Sequence, residues 1–211
     1  MATKRKAASR PRKESPDATE LLVLGLQEIH SAETQLVRVL PRLLKAVESE
    51  KLVEMLEERQ GQGERLLQEV EAALEELDES PGRKKNVAAE GLINDAREHV
   101  QEIETGPALD AVLIGAMQKT EHYCIAAWGT AKALGEALGS KATVKSMDGA
   151  LKEGKAMDEQ LTQLALEEIT PALQGEQSDE ESASEEDDAE EASAAPRKSR
   201  RKGSSEDRAS R

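Results

Sequence analysis

Apolar residues recur along most of this chain at steps of three and four, the pattern of one buried helix face. Between Asp110 and Leu138 they fall at Ile114, Met117, Cys124, Trp128, Ala131 and Leu138, with Gly135 filling the remaining step. Glu121 lies on that same face, between Met117 and Cys124. Near the start, Leu22, Leu26, Ile29, Glu33, Leu36, Leu40, Leu44 and Val47 form an unbroken series of such steps. Asp17-Ala-Thr-Glu20 ahead of them has the spacing of a capping box. Pro41 removes a donor and should kink this helix rather than end it, because the period continues beyond. A second helix is predicted from Glu50 to Leu77, with Met55, Glu58, Gln62, Leu66 and Val70 along one face. Gly61 and Gly63 flank Gln62 and would allow a neighbouring backbone to come close. Glu79-Ser-Pro-Gly-Arg reads as a loop, followed by a shorter helix from Val87 to Ile103 that ends before Gly106-Pro107. The last helix should run from Thr143 to Glu168 on Val144, Met147, Leu151, Leu161, Ala165 and Ile169, and stop at Pro171. Four long helices with short connections predict an all-α, antiparallel four-helix bundle, the 87–103 piece being an extra helix in the middle crossover.

Composition supports helix and narrows the compartment. With no Phe, one Tyr and one Trp in 211 residues, the core must be built from Leu, Ala, Val, Ile and Met. A single cysteine excludes an internal disulfide framework and fits a reducing environment. Leu21 to Leu24, the longest apolar run near the start, is far too short for a membrane span or a signal segment. The expectation is a cytoplasmic protein with no membrane partner.

Charge then divides the chain. Residues 21–175 carry 28 Asp and Glu against 16 Lys and Arg. Residues 1–20 are net basic, and the end of the chain is acidic to Glu191 and then basic from Arg197 to Lys202. Neither end could bury enough apolar surface to order itself. The expected domains are a basic disordered tail at 1–19, a helical bundle at 20–174, and an acidic then basic disordered tail at 175–211.

One carboxylate from each long helix falls on or beside its core stripe: Glu33, Glu58, Glu121 and Glu153. A buried carboxylate must be paired, hydrogen-bonded or metal-bound. The distribution resembles the carboxylate-bridged two-metal sites of ferritin-like bundles, which suit iron or manganese. No Glu-x-x-His motif is present, however; the histidines are His30, His99 and His122. The competing reading puts Glu33 or Glu153 at the edge of a solvated helix face.

At the level of motifs the chain resembles the YciE/YciF-type ferritin-like proteins of bacteria, over about residues 20–170. The resemblance rests on Ser31-Ala-Glu-Thr-Gln35 with Leu40-Pro41, on Glu57-Glu58 with Gln62 and Glu64-Arg65-Leu66, and on Glu90-Gly91-Leu92-Ile93. Its most specific part is Gln118-Lys-Thr-Glu121-His122-Tyr123 with Ile125-Ala126-Ala127 and Gly129-Thr130. It implies a ferritin-like bundle, commonly a homodimer, linked to metal binding and stress responses. The metal ligands it implies here are Glu33, Glu58, Glu121, His122 and Glu153. Five positions depart from the family pattern. Met55 stands where His precedes the second-helix Glu, and Cys124 where Glu follows Glu-His-Tyr. Gly154 replaces the second acid of a Glu-Glu pair, and His30 stands where Tyr is common. Trp128 also occupies a position at which the family prefers Tyr.

These departures leave three function classes open. The first is a metal-binding stress or metal-handling protein with a partly degenerate site, capable at most of weak metal-dependent oxidation. The second is a non-catalytic helical scaffold whose metal site has decayed. The third is a protein held on nucleic acid by its basic ends, Lys4, Arg5, Lys6, Arg10, Arg12 and Lys13 with Arg197 to Lys202, without base readout because no aromatic residue interleaves them. Cys124 reads as a small core residue rather than a redox thiol. No phosphate-binding glycine loop, Ser-His-Asp set or CxxC pair occurs, so no small-molecule substrate suggests itself.

Overall fold

The helices begin where side chains can satisfy their first free amides. Asp17 accepts from the Glu20 backbone at 2.9 Å while Glu20 reaches back to the Asp17 amide at 2.9 Å, the expected capping box. That box opens α1, Ala18–Leu43. Ser49 caps α2, Glu50–Glu75, and Asn86 caps α3, Val87–Glu102, by accepting from Ala88 and Ala89. Proline at its first turn starts α4, Pro107–Leu138, and Gly139, left-handed at φ 72°, closes it. The last long helix, α5, spans Lys141–Leu164 and widens into a π-helical turn at Ala165–Ile169. This computed structural model describes residues 15–175. Every feature below belongs to the unit that ends at Ala172. The expected tails at 1–19 and 175–211 lie almost wholly outside the described residues, as do all the basic positions proposed to meet nucleic acid.

Four long helices form the bundle, each packing on two neighbours: α1 on α2 and α4, and α5 on α2 and α4. Helix α3 lies in the crossover from α2 to α4 and covers α1 and α4. Buried Asp110, in the first turn of α4, accepts from the Glu48 amide at 3.1 Å and the Ser49 amide at 2.8 Å. The N-termini of α2 and α4 are thus side by side, so the crossover makes these two helices parallel and each neighbouring pair antiparallel. At the other end Asn86 donates to Tyr123 Oη at 2.5 Å and to the Glu28 carbonyl at 3.1 Å, pinning the start of α3 across α1 and α4.

The core is not continuous. One apolar cluster contains Leu36, Leu40, Leu52, Leu56, Leu113, Met117 and Leu161; the other contains Leu22, Leu26, Ile29, Leu66, Val70, Trp128 and Met147. Between them, at the same height on α1, α2, α4 and α5, lies a layer made by Glu33, Arg59, Gln62, Glu121 and Gly154.

Three local expectations change. Pro41 sits in the last turn of α1, which ends two residues later. The helical path runs past Pro171 instead of stopping there, and the π-helical turn lies immediately before it. On α2 and α5 the expected stripe holds in part: Gln62, Leu66, Val70, Met147, Leu161 and Ile169 are buried, but Arg59 rather than Glu58 and Gly154 rather than Glu153 face the core. Leu52, Leu56, Arg59, Gln62, Gly63 and Leu66 are buried on α2, and Met147, Ala150, Gly154, Met157 and Leu161 on α5.

Candidate functional site

A one-residue displacement on a helix turns a side chain by about 100°, which moves a core position to solvent. It decides the fate of the expected ligand set. Glu33 and Glu121 are buried, 1 % and 0 % exposed. Glu58 is exposed, in a surface groove with Lys51, Glu54 and the partly buried Met55 of its own helix and Glu167 and Glu168 beyond α5. Glu153 also lies on the surface, paired with Arg65 at 3.2 Å. His122 is exposed, its Nε2 3.4 Å from Asp158 Oδ1. The structure therefore brings together Glu33 and Glu121 and does not bring Glu58, His122 or Glu153 to them.

What meets Glu121 is Arg59. Its guanidinium is fully buried and lies between the two carboxylates. Nη1 and Nη2 donate in parallel to Glu33 Oε2 and Oε1, both at 3.0 Å, the fork geometry that makes arginine–carboxylate pairs strong. Nε donates to Glu121 Oε1. The guanidinium carbon also stands 5.8 Å from the centre of the Trp128 ring, a cation–π distance. Two glycines make the room. A Cβ on Gly63 would stand 2.7 Å from Val37 Cγ2 and 3.1 Å from both Arg59 Nη1 and Glu33 Oε2. A Cβ on Gly154 would meet Trp128 Cζ3 at 2.5 Å and Glu121 Oε2 at 3.1 Å.

The electrostatics follow from burial and from this pairing. Burial works against the charge of Arg59, but Glu33 and Glu121 outweigh it, so its pKa stays well above the usual arginine range. Burial pushes the Glu121 carboxyl up; the charge and hydrogen bond of Arg59 oppose this without cancelling it. Burial, reinforced by Glu33, also drives the Cys124 thiol well up, so it is held as a thiol and not as a ligating or nucleophilic thiolate. With one guanidinium and two carboxylates the layer has a formal surplus of one negative charge, and the surplus falls on Glu121, whose Oε2 has no hydrogen-bond partner.

An iron or manganese ion does not fit this donor set. Both oxygens of Glu33 and one of Glu121 are already engaged by a cation that cannot leave by losing a proton. Arg59 occupies the place between the carboxylates that an ion would need, and its charge would repel one. Among the described residues no group of three or more His, Cys, Asp or Glu side chains is arranged to hold a metal ion.

The surplus charge gives a testable pH dependence. Because the folded-state pKa of Glu121 is raised above its ordinary value of 4.5, the folded chain binds more protons than the unfolded chain between those two values. Its contribution to stability is thus present below 4.5 and is lost as pH rises through the folded pKa. Glu121→Gln keeps the volume and the acceptor for Arg59 Nε while removing the surplus charge. At pH 7 it is expected to be at least as stable as wild type, or within about 1 kcal/mol of it. Urea melts from pH 4 to 8 should show that the variant has lost this part of the pH slope; an unchanged slope would contradict the assignment.

Residues 17–174 match the family described as Domain of unknown function (DUF892). Protein YciF of Escherichia coli (strain K12) is 43 % identical over 148 residues, spanning 68 % of this chain and 87 % of that protein. The crystal structure of the E. coli stress protein YciF superposes with a TM-score of 0.70 at 34 % identity, covering 74 % of this chain and 99 % of that one. YcfI, a putative structural protein from Rhodopseudomonas palustris, superposes at 0.66 with 29 % identity, covering 70 % of this chain and 94 % of the other. The expected ferritin-like, all-helical bundle of the YciE/YciF type is therefore the fold of this protein.

Proposed function

The chain belongs to the DUF892 family, and from that premise we propose that it is a stress-response protein acting as a non-catalytic helical scaffold in the cytoplasm. One observation carries this reading: Arg59 fills the space between Glu33 and Glu121. A bundle that carries its own cation needs no metal to hold its carboxylates together, and it offers no open coordination position for oxidation chemistry. The two solved relatives, one a stress protein and the other a putative structural protein, agree with this role. Among the described residues no helix is long and apolar enough to cross a membrane.

The scaffold is proposed to work as a homodimer. Leu21 and Leu24 of α1 are about two-fifths exposed, and they border a broad apolar groove against Ile125, Ala126, Gly129 and Ala133 of α4. Gly25 and Gly129 open that face further, since a Cβ on either would touch nothing within 4 Å. A second copy of the same face is a fitting cover.

The metal-handling reading is the second one, because Glu33 and Glu121 are both buried at the same level of the core. It requires Arg59 to swing away. Nucleic-acid contact through the basic ends rests on sequence alone. The deciding experiment purifies the full chain without chelator and measures metal content, sedimentation, and thermal melting with and without Fe(II) or Mn(II). Substoichiometric metal, unchanged melting and a dimer are expected. Stoichiometric iron or manganese that raises the melting temperature would return the protein to metal handling.

A further inference from the structure

Among the described residues Lys51, Lys85, Lys119, Lys132, Arg59 and Arg65 have carboxylate partners. Of the lysines and arginines without one, Arg38 and Arg42 of α1 and Arg97 of α3 fall together. All three are exposed and line a groove of about 350 Å³ between these helices. Arg38 and Arg42 are four residues apart on one helix face, where like charges repel, and no acid on α1 relieves them. The one carboxylate lining the groove, Glu90, is occupied by Lys85. The groove is therefore a local positive field on an acidic protein.

Its other walls are equally specific. Val39 and Ile93, each 7 % exposed, form an apolar floor. The Gln35 amide donates to the Ser31 carbonyl at 3.2 Å and the Asn86 carbonyl at 3.1 Å, leaving its own oxygen as an acceptor. The exposed Asn94 side chain adds a second amide. Guanidinium forks match phosphate oxygens bidentately, and a flat ring could cover the floor between two amides.

We infer that the α1–α3 groove is a binding site for a nucleotide-sized, multiply charged phosphate compound, its phosphates held by Arg38, Arg42 and Arg97 and its ring over Val39 and Ile93. A short anion is favoured over a nucleic acid. Charges farther than about 8 Å away are largely screened at physiological salt, so a compact ligand meets the arginines, whereas a duplex would also lie along the acidic surface around them.

Isothermal titration of the full chain with ATP and with pyrophosphate tests this, alongside the double variant Arg38→Gln/Arg97→Gln. Both substitutions are at exposed positions, and circular dichroism would verify that the helices are intact. Saturable one-to-one binding of ATP is expected. Pyrophosphate should bind more weakly, because it lacks the ring. The double variant should lose at least about tenfold in ATP affinity. No saturable binding of either compound at millimolar concentration overturns the assignment, as does binding that the double variant leaves unchanged. A 20-base-pair duplex that binds through these arginines while ATP does not would overturn it in favour of a nucleic-acid surface.

Discussion

Replacing Arg59 with methionine is expected to destabilise the bundle by about 3–5 kcal/mol at pH 7, the range for removing one partner from a buried ionic group. Methionine keeps much of the length and adds apolar contact, so packing accounts for little of the loss. The loss arises from Glu33 and Glu121, which remain 1 % and 0 % exposed with no cation between them. Each then disfavours the other's charge, and burial disfavours both. In the variant Glu121, already raised by burial, loses the guanidinium that opposes the rise, so it should take up a proton still more readily when folded than when unfolded. The variant's stability is therefore highest below the ordinary carboxyl value and falls as pH rises through the raised one. Its deficit against wild type should thus shrink on going from pH 7 to pH 4.5. A triple variant, Glu33→Met/Arg59→Met/Glu121→Met, removes the charges together and should recover most of the loss, because replacing a complete buried ionic group by apolar side chains is often neutral or better. Denaturant melts of the three proteins at both pH values make the comparison. A single variant within about 1 kcal/mol of wild type, or a deficit independent of pH, would mean that Arg59 does not neutralise these acids.

Much of this arrangement is legible in the sequence, and what escapes does so for a physical reason. On α1 and α4 the apolar steps are long and unambiguous, so Glu33 and Glu121 are correctly placed in the core by periodicity. On α2 two stripes compete. Met55, Glu58, Gln62, Leu66 and Val70 make one series, and Leu52, Leu56, Arg59, Gly63 and Leu66 another that merges with it at Leu66. Arginine is among the residues least often fully buried, so the series that contains one is the easier to discard. Only tertiary contact with Glu33 and Glu121 makes Arg59 an interior residue. The same ambiguity on α5 sets Glu153 against Gly154, and glycine carries no hydropathy signal. A usable clue was nevertheless present. The departures at Cys124 and Gly154 each remove an acid from the family pattern, and in the structure both positions adjoin the Arg59 layer.

Gly154→Ala is expected to lose about 1–3 kcal/mol, the usual cost of overpacking a filled core, although alanine is the better helix former by roughly 1 kcal/mol. The new Cβ would stand 2.5 Å from Trp128 Cζ3 and 3.2 Å from Cη2. Trp128 is fully buried, and its ring lies within cation–π reach of Arg59, so a retreat would disturb the ionic layer. Tyrosine, which the family pattern favours at 128, has neither of those two ring atoms. In a Trp128→Tyr background the same Gly154→Ala change should therefore meet no ring atom at that place, and its helix propensity should make it neutral or stabilising. The two substitutions are then coupled by more than about 1 kcal/mol, whereas independent sites add to within a few tenths. Equilibrium unfolding of wild type, both single variants and the double variant measures that coupling. Additive effects would show that the indole is not what requires glycine at 154. A coupling of the predicted sign would tie the lost acid at 154 to the tryptophan that now covers Arg59.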